Sequence, residues 1–184
     1  MPHRLDPART ALLLIDWQER LITAMPEEHR EAARARAQNL RWIAGELGLP
    51  ALASEQYPRG LGPTLHDLAV ERTVEKLCFS AVQEPRFAEA LREALPGDGP
   101  RSVLVSGMET HICVAQTCRD LVEAGYEVWL VGDACLSRRK LDWRLGLSRV
   151  AADGGLVVTA EAALFELAGR AGTPLFKELS RRIR

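Results

Sequence analysis

Cys113, Asp16 and Lys76 are the side chains of this sequence whose types and positions suit them to chemistry. Cys113 follows a glycine turn at the start of a predicted helix, where backbone N–H groups and the helix dipole favour a thiolate over a thiol. A nearby lysine would favour the thiolate in the same way, whereas a nearby carboxylate would oppose it. These are the conditions for a reactive cysteine, and the alternative is a small, buried core residue.

The other candidate side chains leave structural alternatives open. Cys78, Cys118 and Cys135 fit the core alternative better, because none of them combines a strand end, a glycine turn and a helix start. Asp16 directly follows five apolar residues, so its carboxylate is either functional or held in a structural ion pair at the strand end. Lys76, taken alone, is typical of a solvated strand terminus. The four cysteines are too few for a disulfide-stabilised scaffold and lack the CxxC spacing of a zinc site, so we expect them to be reduced thiols.

Short apolar runs alternate with amphipathic segments along the whole chain. The runs predict six strands, and the segments between and after them predict helices at 27–47, 86–95, 110–123, 141–152, 162–168 and 175–183. The strands are predicted at 11–15, 49–54, 72–77, 102–107, 126–131 and 156–158. Such alternation is typical of a three-layer α/β/α fold with a six-stranded, mainly parallel sheet, here as one domain over residues 1–184. Because ligands bind at the carboxyl ends of parallel strands, the three reactive side chains are expected at that edge.

The composition favours a small-molecule partner. Hydrophobic residues make up 47% of the chain and charged residues 27%, as in ordinary globular proteins. A formal net charge of −1 gives no basic face for nucleic acid or an anionic membrane, and no apolar stretch approaches the length of a membrane span. The amino-terminal residues lack the apolar region of a signal peptide. We therefore expect a cytoplasmic protein that binds neither nucleic acid nor membrane.

Several segments together resemble the isochorismatase-like family of cysteine hydrolases, which includes nicotinamidases and related amidases. The resemblance extends over nearly the whole chain and is nearest to the isochorismatase-domain-containing proteins of poorly defined substrate. Its most specific part is the motif Gly-x-Glu-Thr-x-x-Cys-Val, and the segments that carry it are Leu14-Ile15-Asp16-Trp17-Gln18, Glu75-Lys76 and Gly107-Met108-Glu109-Thr110-His111-Ile112-Cys113-Val114. The family has a Rossmann-like six-stranded sheet between helices, in agreement with the pattern of elements.

The resemblance implies a role for each reactive side chain. Cys113 would be the nucleophile, Asp16 the proton acceptor and donor, and Lys76 the cation that orients Asp16 and favours the thiolate. The backbone N–H groups of Glu109 and Cys113 would stabilise the oxyanion, with a cis peptide bond between Met108 and Glu109. The implied function is hydrolysis of a small-molecule amide-type C–N bond through a thioester, without a cofactor. Family members commonly form homo-oligomers, so we expect one here.

The sequence departs from the family's metal-dependent members, and it leaves a second function open. Nicotinamidases hold a metal with an Asp-x-His element after the second strand, where this chain has Ser54-Glu55-Gln56-Tyr57, so we expect no metal site. The alternative function is a catalytically silent binding protein that retains the fold. Pocket candidates, each equally able to serve in packing, are Trp17, Gln18, Gln56, Tyr57 and Phe79.

Overall fold

A computed structural model describes residues 4–97, 99 and 101–183 of the chain; residues 1–3, 98, 100 and 184 lie outside it. Six strands form one sheet in the order β3-β2-β1-β4-β5-β6, and every neighbouring pair is parallel. This arrangement confirms the predicted fold class. The strands are β1 (Thr10–Ile15), β2 (Ala51–Gln56), β3 (Arg72–Lys76), β4 (Ser102–Met108), β5 (Glu127–Leu136) and β6 (Leu156–Val158).

The sheet is covered by helices on both faces, which explains why its central strands are continuously apolar. Every residue of β1 is buried. Because side chains alternate across a strand, Leu12 and Leu14 join the core on one face, while Leu13 and Ile15 join the core on the other. A charge inside such a strand would lie in an apolar environment, so β1 has to end where Asp16 begins.

The helices are close to those predicted from the sequence. The longest, α2, covers Glu27–Leu47 as predicted and ends at Gly48, whose φ of 69° is the left-handed conformation that glycine adopts at helix ends. Its buried stripe packs on one face of the sheet together with two helices near the end of the chain, α7 (Ala160–Ala168) and α8 (Pro174–Arg182). The helices are α1 (Glu19–Thr23), α2, α3 (Pro58–Leu61), α4 (Pro85–Ala94), α5 (Ala115–Glu123), α6 (Lys140–Ala152), α7 (Ala160–Ala168) and α8 (Pro174–Arg182).

Two strands differ from the prediction in ways that affect the site. Strand β2 lies two residues later than the predicted 49–54, which places Gln56 at its carboxyl end. Strand β5 continues five residues beyond the predicted end at 131, because its pairing with β4 resumes after a register shift between Val105 and Gly107. Glycine and aspartate at 132 and 133 are weak strand formers, so sequence pattern alone ended the strand too early.

Strands β1 to β3 follow one another toward one edge of the sheet and β4 to β6 toward the other, so the strand order switches direction between β1 and β4, the two central neighbours of the sheet. In open α/β sheets the crevice at this switch point, outside the carboxyl ends of the strands, is the usual ligand site. Asp16 directly follows β1, and the segment leading to Cys113 directly follows β4. Within the described residues, no helix is both long and apolar enough to cross a membrane.

Candidate active site

Asp16 lies at the centre of the candidate site, immediately after β1. Its side chain is fully buried and its φ of 52° is left-handed, so the chain turns sharply where the strand ends. Ser54 Oγ donates a hydrogen bond to Oδ1 at 2.6 Å, and Lys76 Nζ lies 2.8 Å from Oδ2. Burial raises the pKa of Asp16 above its ordinary value, although the Lys76 charge and these hydrogen bonds act in the opposite direction.

Lys76 reaches Asp16 from the carboxyl end of β3, and its side chain is completely buried. Its Nζ also contacts Gln56 Oε1 at 2.7 Å and the carbonyl oxygens of Phe79 and Cys78 at 3.0 and 3.3 Å. An ammonium group has three donors, so these oxygens satisfy it without water. A lysine buried in this way is not the solvated strand terminus that its sequence position also allowed, because solvation is replaced by a carboxylate and dipoles.

Cys113 lies in a five-residue π-helical turn, Thr110–Val114, that leads from β4 into α5. The residue is 6% exposed, and its Sγ lies 4.0 Å from Gln56 Oε1, the oxygen that also accepts from Lys76. Burial first, and the Asp16 carboxylate second, raise the pKa of the Cys113 thiol to about 12, whereas Lys76 lowers it. The sequence-based expectation of a favoured thiolate is therefore wrong for the free protein, because burial and a carboxylate outweigh the lysine and helix start.

Close backbone contact explains how β1 and β4 bring Asp16 next to this turn. A Cβ on Gly107 would lie 2.2 Å from the carbonyl oxygen of Ile15, so only glycine fits between the two strand ends. The Met108–Glu109 peptide bond is cis, as the resemblance implied. The hydroxyl of Thr110 donates to the carbonyl oxygen of Leu136, and Glu109 occupies the cap position of the turn.

The five pocket candidates occupy different environments. Trp17 and Gln18 are fully buried, and neither presents surface to a ligand in this structure. The indole of Trp17 donates to Ser106 Oγ at 3.0 Å, and the Gln18 amide bonds both the N–H and the carbonyl of Gln56. These contacts are structural: the Gln18 bonds hold the end of β2 beside the end of β1, and the Trp17 bond links the end of β1 to β4.

The remaining three candidates lie at or beside the cluster of Asp16, Lys76 and Cys113, which is called the triad below. Gln56 links Lys76 to Cys113, as described above, and its Nε2 donates to the Leu77 carbonyl. Tyr57 and Phe79 are each slightly more than half exposed, and Leu77 between the strand end and Phe79 is more exposed still. Tyr57 directly follows Gln56, and Leu77 and Phe79 closely follow Lys76, so these exposed side chains are candidates for an apolar, partly aromatic rim of the site.

Sequence reasoning missed Ser54 as a partner of the site, although it lies in the segment Ser54-Glu55-Gln56-Tyr57 that was considered for metal ligands. Its position becomes informative only once β2 is known to pair with β1 through Ile15 and Ser54. No group of three or more histidine, cysteine, aspartate or glutamate side chains among the described residues is arranged to hold a metal ion. His111 contacts Ser137 Oγ through Nδ1 at 3.0 Å.

A cavity of about 530 Å³ lies away from the triad, between the start of α2, the end of β5 and the start of α6. None of the three triad side chains lines it. Its wall includes Leu136 and Ser137, which also bond to Thr110 and His111 of the turn that carries Cys113.

Comparison with known proteins gives a consistent result. A model of the isochorismatase domain matches residues 10–162. Isochorismatase domain-containing protein 2 from Bos taurus is 36% identical over 183 residues, which cover 98% of this chain and 86% of the relative. The structure of MAR1 ribonuclease from Caenorhabditis elegans is 30% identical with a TM-score of 0.87, over 98% of this chain and 92% of that one. At 20% identity, the Escherichia coli YcaC gene product, described as an octameric hydrolase of unknown specificity, shares the fold with a TM-score of 0.90 over 99% and 92% of the chains.

Proposed function

The chain belongs to the isochorismatase family, and we propose that it is a cysteine-dependent hydrolase of an amide-type C–N bond in a small molecule. The observation that carries this proposal is the convergence of Asp16, Lys76 and Cys113 from the ends of three separate strands. Asp16 and Lys76 are in direct contact, and both influence the pKa of the Cys113 thiol. A binding protein gains nothing from burying two opposite charges beside a thiol, since such a pair is costly to desolvate.

The raised pKa values of Asp16 and Cys113 define the first step. In the free protein the nucleophile is a thiol, and Asp16 is the adjacent carboxylate able to take its proton. As the sulfur attacks the carbonyl carbon, the S–H proton moves to Asp16 and the carbonyl oxygen becomes an oxyanion. Lys76 compensates the negative charge that moves between the carboxylate and the sulfur. Backbone N–H groups of Glu109 and Cys113 are assigned to the oxyanion.

The second half of the reaction returns the groups to their starting state. The tetrahedral intermediate breaks its C–N bond, and the proton on Asp16 leaves with the amine, which gives a thioester on Cys113. A water molecule then gives a proton to Asp16 and attacks the thioester carbonyl. The C–S bond breaks, and the proton on Asp16 passes to the Cys113 sulfur. The products are a carboxylic acid and the free thiol, so no oxidant, reductant or cofactor enters the balance.

The surroundings of the triad support an uncharged substrate. Among the described residues, Lys76 and Asp16 pair with each other, and Gln56 and Ser54 add further hydrogen bonds. The pair therefore leaves no uncompensated charge beside the thiol to bind an ionic group. The exposed rim of Tyr57, Leu77 and Phe79 is suited to an apolar substituent. We therefore propose a small neutral amide or ureide with an apolar portion.

The remaining parts of the proposal concern the oligomeric state, the absence of a metal, the cellular location and nucleic acid as a partner. We propose a homo-oligomer, supported by the octamer described for the YcaC product that shares this fold. We also propose a metal-free site and a cytoplasmic location, which stay predictions. The ribonuclease named for the Caenorhabditis elegans relative is a different chemistry, and the formal net charge of −1 disfavours RNA as substrate here.

The test is a screen of small amides and ureides for ammonia or amine release by the whole chain. Release should occur with the wild type, disappear with Cys113→Ala, and persist with Cys118→Ala, which removes a core thiol on α5. Mass spectrometry of rapidly quenched reactions should find the acyl group on Cys113, removable by hydroxylamine. Turnover that survives Cys113→Ala, or acylation elsewhere, would contradict the proposal, and no release from any compound by the folded wild type would favour the silent binding protein.

A further inference from the structure

Glu109 is held at two points by Arg138, which lies two residues beyond β5. The backbone N–H of Arg138 donates to Glu109 Oε2 at 3.0 Å, and its Nε lies 3.0 and 3.1 Å from the two carboxylate oxygens. The Glu109 side chain is only 7% exposed, whereas that of Arg138 is 59% exposed. The guanidinium thus reaches inward from the surface to a nearly buried carboxylate.

The two following residues of the turn are attached to the same segment of chain. Thr110 Oγ1 donates to the carbonyl oxygen of Leu136 at 2.9 Å, and His111 Nδ1 lies 3.0 Å from Ser137 Oγ. Three consecutive residues, 109–111, are therefore bonded to three consecutive residues, 136–138. Paired positions of β4 and β5 end at Met108 and Leu136, so side-chain bonds continue the connection where the strand pairing stops.

The opposite side of the turn is closed by α6. A Cβ on Gly146 would lie 2.9 Å from His111 N and from the Thr110 carbonyl carbon, which shows how closely the helix approaches the backbone. The turn can therefore shift neither toward α6 nor along β5 without breaking a bond or a packing contact. The Glu109 carboxylate is the part of this attachment that depends on a charged, exposed partner.

From these contacts we propose that Arg138 is a positioning residue for acyl transfer, acting through the Glu109 carboxylate to fix the peptide that carries the Glu109 N–H. This inference rests on the proposed function, in which that N–H faces the oxyanion. Without the guanidinium, the carboxylate keeps one backbone donor in a site that is nearly closed to water. It then gains solvation by turning outward, and the attached peptide turns with it.

The test compares two reactions of the same thiol. Acylation by p-nitrophenyl acetate forms an S–C bond, releases p-nitrophenolate and passes through an oxyanion, whereas alkylation by iodoacetamide displaces iodide and forms none. Arg138→Met should slow acylation of Cys113 by at least about tenfold, because loss of a complete oxyanion donor costs about a hundredfold or more. Alkylation of Cys113 should change less than about twofold, since the thiol and Asp16 are untouched.

Two further variants separate positioning from general loss of structure. Arg139→Met alters the adjacent exposed arginine, whose side chain has no ion pair among the described residues, and should leave both reactions unchanged. Arg138→Lys should recover part of the acylation rate, and Glu109→Gln combined with Arg138→Met should be faster than Arg138→Met alone, because the uncompensated charge is gone.

The possible outcomes distinguish the inference from the proposed function. If Cys113 in the wild type acylates no faster than the other thiols of the chain, the proposed function fails and this inference fails with it. If Cys113 acylates rapidly in the wild type and equally rapidly in Arg138→Met, only the positioning role is overturned. An equal loss of acylation and alkylation would also overturn it, because that result indicates damage to the thiol site as a whole.

Discussion

Replacing Asp16 by asparagine should make Cys113 more reactive toward an alkylating agent while abolishing hydrolysis. The carboxylate is the second largest cause of the raised thiol pKa, after burial. At pH 8, a pKa of about 12 leaves about one thiol in ten thousand ionised. A unit charge in near contact at a partly buried site is worth about 3 kcal/mol, or about two pKa units. Asp16→Asn should therefore increase the thiolate fraction by about 10- to 100-fold.

Turnover should change in the opposite direction. Asparagine keeps the shape of the side chain and can still accept the hydrogen bond from Ser54, but it cannot carry a proton between sulfur and leaving amine. Loss of a general acid-base group costs about a hundredfold or more in rate. Lys76 loses its charged partner at the same time, so the free energy of unfolding should fall by about 3 kcal/mol.

The assay is time-resolved iodoacetamide labelling from pH 7 to 11, with the Cys113 peptide quantified by mass spectrometry and turnover measured in parallel. Circular dichroism would establish that the variant is folded at the labelling temperature. Asp142→Asn, in the first turn of α6, is the matched control and should change neither rate. If Asp16→Asn labels Cys113 no faster than the wild type at pH 8 while folded, the proposed coupling of carboxylate and thiol is refuted.

Three further predictions concern stability and the limits of the site. Burial keeps Cys113 protonated to about pH 12 in the folded protein, whereas the unfolded thiol ionises near pH 9. The protonated thiol therefore makes its full contribution to stability below about pH 9, and this contribution is lost as pH rises through 12. In urea titrations, Cys113→Ala should remove about 2 kcal/mol of the stability that the wild type loses between about pH 8 and pH 11. Gly107→Ala should lower the free energy of unfolding by about 3 kcal/mol or more, measured by thermal melting, and an unchanged melting temperature would contradict the close approach to Ile15. Trp17→Phe should lower the free energy of unfolding by about 1 to 2 kcal/mol, because the buried Ser106 hydroxyl loses its indole donor. KM should stay unchanged, and a raised KM would indicate that Trp17 contributes to the substrate pocket.

The sequence alone was sufficient to predict the architecture, because the alternation of strands and helices follows from local hydrophobic periodicity. Apolar runs such as 11–15 have the length and flanks of strands buried on both faces, and α2 has both an apolar stripe and a glycine at its end. Cys113 was recognisable as a candidate nucleophile because a strand, a glycine turn and a helix start are consecutive in the chain. Asp16 was recognisable as a candidate because a charge interrupts an apolar run. Each of these signals lies within about ten residues of the position that it predicts.

Only the tertiary structure decided the environment of those groups. Lys76 is 60 residues from Asp16 in the chain, and its burial follows from the sheet order, which no local pattern specifies. The sign of the Cys113 pKa shift depends on how much water the packed loops exclude, so a helix start next to a lysine predicted it wrongly. Arg138 gains its place beside Glu109 from the extension of β5 past 131, and that extension comes from pairing with β4. Periodicity records which face of an element is buried, whereas pairing across the sheet determines which side chains meet.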